Sequence, residues 1–355
     1  MLSMRKTVEH GLQSRIQRAL ACLTLPLAIM GNALASDLPA APGRLIDVGG
    51  FNLHIQCNGA GQPTVLLEAG LGGVSLEWAN IQAELAHTQR VCSYDRAGMG
   101  WSDAGPMPRT SGEVVTELHE LLNKAGEQGP FVLVGHSIGG YSAQLFAARY
   151  PALSAGLVLI DSSHPEQIER FAAPPTSVNL APRGRLMQLM PVRVPEHMPE
   201  QVRASAAALA VALKARQAVT SELESYRASA AEVQAGVVPN IPLIVLTRGQ
   251  QQWPHDERGD RMEALWRTLQ AELARKTDMA GQVVAARSSH YIHLDQPELV
   301  CAAIRVVATA ARQAGGINAQ RVAMQQGLQD LASQFTQIAS VSAPALLPQL
   351  LAMNH

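Results

Sequence analysis

The chain has 355 residues, of which 47% are hydrophobic, and a formal net charge of −1. That is enough apolar surface for a large core, at a length near the upper limit of a single α/β domain. A charge so close to zero argues against nucleic acid or an anionic membrane as the main partner.

The first 35 residues read as an export signal: Arg5, Lys6, Arg15 and Arg18 precede the apolar run 19–30, and Ala33-Leu34-Ala35 supplies a small-x-small cleavage pattern. The run is too short for a comfortable transmembrane span, so the mature protein is expected to be periplasmic or secreted and to start at Ser36. Cys57, Cys92 and Cys301 then remain. In an oxidising compartment one pair and one free thiol are expected. Cys57 and Cys92 fall in neighbouring strand-like runs and are the expected pair, whereas Cys301 sits in an apolar helical run and reads as a buried hydrophobe. No Cys-x-x-Cys and no His/Cys cluster in the sequence suggests a metal site.

After a Pro/Ala linker, 44–48 and 51–57 read as a hairpin about Gly49-Gly50. The run 64–67 is a buried strand, followed by Glu68-Ala69-Gly70-Leu71-Gly72-Gly73 and a helix near 76–85. The next strand, 90–94, runs into Asp95-Arg96-Ala97-Gly98-Met99-Gly100-Trp101-Ser102. Thr110 opens a helix with Glu113 at capping-box spacing and an inner stripe of Val114, Leu118, Leu121, Leu122 and Ala125. Further strands fall at 157–160, ending at Asp161, and at 241–246 and 282–286, with a helix at 298–312. Continuous apolar strands alternating with helices imply a mostly parallel central sheet flanked by helices. Residues 164–240 break the rhythm with a proline-rich stretch and an alanine-rich helical region. They are expected to form a helical cap, with Leu186, Met187, Leu189 and Met190 lining a pocket. This divides the core into 36–163 and 241–315. In the tail, 316–355, Met324, Leu328, Leu331, Phe335 and Ile338 recur at helical spacing and are expected to dock on the body. Few basic residues flank that stripe, which gives no strong membrane signal.

The chemistry centres on Phe131-Val132-Leu133-Val134-Gly135-His136-Ser137-Ile138-Gly139-Gly140. A strand-like run enters Gly-x-Ser-x-Gly and a helix-like run leaves it, which is the pattern of a nucleophile elbow. The serine sits on a strained turn, so its neighbours must be small. Together with the Asp95–Ser102 stretch and Ser289-His290-Tyr291-Ile292-His293, this elbow makes the chain, from about Arg44 to Arg312, resemble the α/β-hydrolase superfamily and its capped esterase/lipase-like members.

The resemblance implies an α/β-hydrolase fold and a nucleophile, acid and histidine in that chain order. Ser137 needs a base. His290, after the last strand, is the expected one, with His293 as the alternative and His136 as a structural residue. The acid departs from the common pattern, because Gly249 is followed by Gln250, Gln251 and Gln252. Asp161, at the end of the preceding strand, is the preferred carboxylate, with Asp256 as the alternative and a helix-capping role as the other reading of Asp161. The resemblance assigns the oxyanion hole to the amides of Leu71 and Ile138, although Ala69 stands where a histidine is usual. Asp95 and Arg96 are expected to brace the loop beside the elbow, with substrate contact as the alternative. The implied activity is cleavage of small or medium hydrophobic carboxylic esters through an acyl-enzyme, with no cofactor and no metal. Acyl transfer, amide or carbon–carbon cleavage on the same triad, and a binding protein that has lost turnover, stay open. A serine nucleophile argues against dehalogenase and epoxide-hydrolase chemistry.

Overall fold

A computed structural model describes residues 40–172, 198–335 and 338–342. The chain divides after Ala40, and the fold below belongs to the unit that starts at Ala41. The export signal and the apolar residues 186–190 lie outside the described residues.

The strands are β1 Arg44–Asp47, β2 Asn52–Asn58, β3 Thr64–Glu68, β4 Val91–Tyr94, β5 Phe131–His136, β6 Ser154–Ile160, β7 Leu243–Arg248, β8 Ala280–Ala285 and β9 Ile338–Ser342. They form one sheet in the order β1-β2-β4-β3-β5-β6-β7-β8-β9. From β4 to β8 every neighbour is parallel, and β1, β2 and β9 add antiparallel edges. The helices are α1 Ala79–Leu85, α2 Ser111–Ala125, α3 Gly139–Arg149, α4 Gln167–Ala172, α5 Glu200–Ala210, α6 Leu213–Glu224, α7 Tyr226–Ala235, α8 Glu257–Leu273, α9 Ile292–Asp295, α10 Pro297–Ala311 and α11 Gly316–Gln334.

The two-residue period of the strands divides the core. Leu66, Leu133, Leu157, Leu159 and Val245 face the layer holding Val115, Leu118 and Leu122 of α2 and Phe146 of α3. Val65, Leu67, Val132, Val134, Val158, Ile160 and Leu246 face the opposite layer, with Ile81 of α1 and Val300, Ile304 and Val307 of α10. Burial on both faces explains why these strands read as unbroken apolar runs. Thr110 caps α2 by accepting the Glu113 amide at 3.2 Å.

The helical insertion between β6 and β7 packs Ala206, Leu209, Ala215 and Ala218 with Val74, Leu76 and Met99. It is pinned by polar contacts to main-chain groups: Lys214 Nζ donates to the Ser102 carbonyl at 2.6 Å and the Gly112 amide donates to Glu232 at 2.6 Å.

His164 stands where the insertion leaves the sheet. Its Nδ1 accepts the Glu166 amide, and its Nε2 lies 3.6 Å from Glu272. Burial pushes its pKa down to about 4; Lys276 and Arg170 add to this, and Glu272 opposes it. The folded state keeps this ring neutral while the unfolded chain protonates it near the usual 6.5. Its contribution to stability is complete above that range and is lost as pH falls toward about 4. Thermal unfolding followed over this range is expected to show a shallower acid-side loss in His164→Gln than in the wild type. An unchanged slope would refute the assignment.

Cys57 and Cys92 lie opposite each other on β2 and β4 and form a disulfide, while Cys301 is free and buried. Burial pushes the Cys301 thiol up to about 12. The bridge joins positions 35 apart. For a loop of that length, replacing both cysteines by alanine is expected to lower stability by about 3–4 kcal/mol. Urea unfolding of the double variant measures it, and a loss under ~1 kcal/mol would contradict the loop-closure account.

Two elements differ from the sequence reading. Helix α8 occupies a stretch to which the sequence assigned no element, because its buried apolar positions are few: Trp266, Leu269 and Leu273. The tail is not wholly helical. Met324, Leu328 and Leu331 are buried as the stripe predicts, but α11 stops at Gln334, and Ile338 begins β9, antiparallel to β8. A strand there covers what would otherwise be an open edge of the sheet.

Candidate active site

β5 delivers the chain into the elbow at Ser137, whose φ is +53°. A Cβ on Gly135 would lie 2.5 Å from the Gly139 carbonyl oxygen, and one on Gly139 would lie 2.5 Å from the Ala69 oxygen. Both contacts are closer than a side chain tolerates, so glycine is required on either side of the serine. The Ser137 amide donates to the Ile160 carbonyl at 3.1 Å, which ties the turn to β6.

Ser137 and Asp161 are the non-glycine residues with positive φ among the described residues, Asp161 at +41°. They follow the carboxyl ends of the adjacent strands β5 and β6. Strained main chain of this kind concentrates at functional sites.

Asp161 is fully buried. Its Oδ2 lies 2.6 Å from Nδ1 of His290 and accepts Nη1 of Arg248 at 2.8 Å. Its Oδ1 accepts the Trp266 indole at 2.8 Å and the Arg248 amide at 3.2 Å. Burial alone would raise this carboxyl, but hydrogen bonds and charge from His290 and Arg248 outweigh it and hold the pKa below the usual aspartate value. An ionised Asp161 accepts a proton-bearing Nδ1, which leaves Nε2 of His290 as the basic nitrogen. His136 Nε2 donates to the His290 carbonyl at 3.0 Å, and the two rings lie 4.6 Å apart. Since His136 directly precedes Ser137, these contacts hold His290 beside the elbow.

The structure therefore groups the elbow, His290 and Asp161. Asp256 is elsewhere: it caps α8, accepting the Gly259 amide at 2.7 Å. His293 faces Glu77 at 3.5 Å. Asp161 does not act as a helix cap; its carboxylate is used by His290, Arg248 and Trp266.

The proposed oxyanion residues flank the serine. Ile138 is buried immediately before α3, and Leu71 is 38% exposed on the loop after β3. A Cβ on Gly70 would lie 3.3 Å from Cβ of Ser137, so this loop runs against the nucleophile. Among the described residues no main-chain carbonyl takes the amide hydrogen of Leu71 or Ile138. The loop is braced by Arg96, as expected. Its guanidinium donates to the Ala69 and Gly70 carbonyls, both at 2.7 Å, and to Glu68 at 2.7 Å. Arg96 Nε also donates to Glu222 of α6 at 2.8 Å, which links the oxyanion loop to the insertion. This bracing supplies support where Ala69 lacks the usual histidine side chain.

Sequence reasoning missed Arg248, Trp266 and Glu263. Arg248 closes β7, the strand after which similar proteins often carry the acid, and Glu263 accepts from its Nη2 at 3.2 Å. One signal was present: an arginine ending an apolar strand demands a buried carboxylate nearby. Trp266 and Glu263 lie on the unread helix α8 and gave none.

Residues 65–303 match the sequence model of the Alpha/beta hydrolase family. The chain is 28% identical over 269 residues to the uncharacterized protein YqjL of Bacillus subtilis (strain 168), covering 75% of this chain and 92% of YqjL. Among solved structures it is similar to a thermophilic esterase from Thermogutta terrifontis, with TM-score 0.52 and 24% identity over 76% of this chain and 99% of the esterase. It is also similar to the epoxide hydrolase CorEH, with TM-score 0.57 and 16% identity over 76% of this chain and 99% of that one. At these identities the solved structures speak for the fold, which serves more than one chemistry. The family match spans most of the chain and coincides with the strand–elbow–helix geometry, and the chain belongs to the alpha/beta hydrolase family.

Proposed function

We propose that the protein is a serine hydrolase that cleaves carboxylic esters through an acyl-enzyme. The observation that carries this reading is the strained Ser137 turn beside a His290 whose Nδ1 lies 2.6 Å from the buried Asp161 carboxylate. Epoxide hydrolysis on this fold needs a carboxylate at the elbow, where this chain has a serine.

In this reading His290 Nε2 takes the Ser137 hydroxyl proton as Oγ attacks the ester carbonyl carbon. The carbonyl electron pair moves to oxygen, which the Leu71 and Ile138 amides hold. The tetrahedral species collapses, the carbon–alkoxy bond breaks, and His290 gives its proton to the departing alcohol. Water, deprotonated by His290, then attacks the acyl-enzyme and frees the carboxylic acid, returning the proton to Ser137. Asp161 holds His290 in the required tautomer and stabilises its cation. The substrates inferred are small hydrophobic esters, and the Cys57–Cys92 disulfide supports an exported, oxidising location.

A fluorophosphonate probe followed by peptide mass spectrometry tests the reading. The adduct is expected on Ser137, together with turnover of short p-nitrophenyl esters. Folded protein that neither labels at Ser137 nor turns over any member of an ester chain-length panel would refute it.

A further inference from the structure

Next to the elbow, where His136 directly precedes Ser137, Glu77, His136 and His293 converge. All three are buried, at 6%, 2% and 1% exposure. One ligand atom from each lies within 4.8 Å of the others, and Glu77 Oε2 is 3.5 Å from His293 Nε2. Glu77 Oε2, His136 Nδ1 and both ring nitrogens of His293 have no hydrogen-bond partner among the described residues. A buried polar atom left unsatisfied costs about 1–3 kcal/mol, so unsatisfied atoms on three residues this close together call for a shared occupant.

We propose that Glu77, His136 and His293 form a binding site for one late first-row divalent metal ion of the zinc type. The donor set, two imidazoles and one carboxylate, suits such an ion. The tautomer of His136 suits it too. Its Nε2 donates to the His290 carbonyl, so Nδ1 carries the lone pair and has no hydrogen-bond partner among the described residues. A metal-bound histidine whose other nitrogen donates to a carbonyl is the usual outer arrangement of such sites. With bonds near 2.1 Å, a tetrahedral ion keeps its ligands about 3.4 Å apart. The Glu77–His293 pair is already at 3.5 Å, and the remaining pairs, within 4.8 Å, need to close by at most about 1.4 Å. The Trp78 indole packs on the His293 ring at 4.5 Å and holds its plane.

The ligands are too dispersed for sequence spacing to reveal them, but their positions follow from the fold. Glu77 follows the Leu71 loop after β3, His136 ends β5, and His293 sits on α9 just after His290. The segments that would supply the oxyanion amide of Leu71, the nucleophile and the histidine each supply one ligand, and the segment of Asp161 supplies none. The ion would tie these three segments together. The proposal rests on this geometry and not on the ester-hydrolase reading.

The test uses full-length mature protein purified without a polyhistidine tag. Elemental analysis is expected to find about one zinc-type ion per chain. Chelator-treated protein is expected to bind Co²⁺ with the visible absorption of a low-symmetry imidazole-ligated site and to lose that colour on adding Zn²⁺. Glu77→Gln and His293→Gln should each weaken Co²⁺ binding at least about tenfold, while Ser137→Ala binds as the wild type does. If either variant fails to fold, the wild-type metal content and Co²⁺ titration still decide. Wild-type protein that contains no metal and takes up neither Zn²⁺ nor Co²⁺ in calorimetric titration overturns the proposal. So does Co²⁺ binding that is unaffected in folded Glu77→Gln.

Discussion

Ser137→Ala is expected to lower kcat for ester hydrolysis on the order of 10⁴–10⁶-fold while KM changes little. The substitution removes only the Oγ atom that would form the acyl bond. The turn itself is held by groups the variant retains: the Ser137 amide on Ile160, the Gly140 and Ser163 amides on the Ser137 carbonyl, and the glycine contacts around them. Alanine keeps the Cβ and therefore the φ strain, so the fold and the oxyanion amides should survive. Residual activity above the uncatalysed rate should come from those amides and from binding. Stopped-flow measurement of the acyl-enzyme burst checks the claim directly, with the burst absent in the variant. A variant that retains more than about a tenth of wild-type kcat would mean that Ser137 is not the nucleophile.

The parts of this site differ in how far they could be read from residues alone. The elbow was legible because sterics leave so few options: a strained serine between strand and helix needs glycines at fixed offsets, and Gly135 and Gly139 are there. Thr110 and Glu113 were legible for a similar reason, since capping is a local interaction. The sheet was legible from the unbroken apolar runs of β3, β5, β6 and β7, which only burial on both faces explains. The support around Asp161 was not legible. Arg248, Glu263 and Trp266 come from two elements separated by a polar loop, and only the sheet order brings them to the end of β6. The tail shows the limit of periodicity. Its apolar spacing marks a face of α11 correctly, but nothing in spacing says where a helix stops and an edge strand begins at Ile338.

Asp161→Asn is expected to lower kcat by about 10⁴-fold, the effect of losing the carboxylate that sets the histidine tautomer. The expectation needs argument, because Asp161 also binds Arg248, and a cation there would weaken its hold on an imidazolium. Glu263 removes that objection. Arg248 lies between Asp161 and Glu263, with Nη1 2.8 Å from the first and Nη2 3.2 Å from the second. The guanidinium is shared between the two carboxylates, so its charge is not spent on Asp161 alone. Stacking near Trp253 and Trp266, 4.9 Å and 4.7 Å from the guanidinium carbon, holds the arginine in place without adding charge. Loss of chemistry and loss of fold can then be separated by a second substitution. Arg248→Met leaves two buried carboxylates without their shared cation and is expected to reduce stability by about 3–5 kcal/mol, with a smaller effect on kcat in the fraction that folds. Asp161→Asn should show the reverse emphasis, a large kinetic loss with a near-native near-ultraviolet circular dichroism spectrum. Asp256→Asn, which keeps a capping side chain at α8, should leave both quantities close to wild type. If Asp161→Asn retains kcat within about tenfold while folded, the histidine takes its orientation from another group, and the pairing at β6 is structural rather than catalytic.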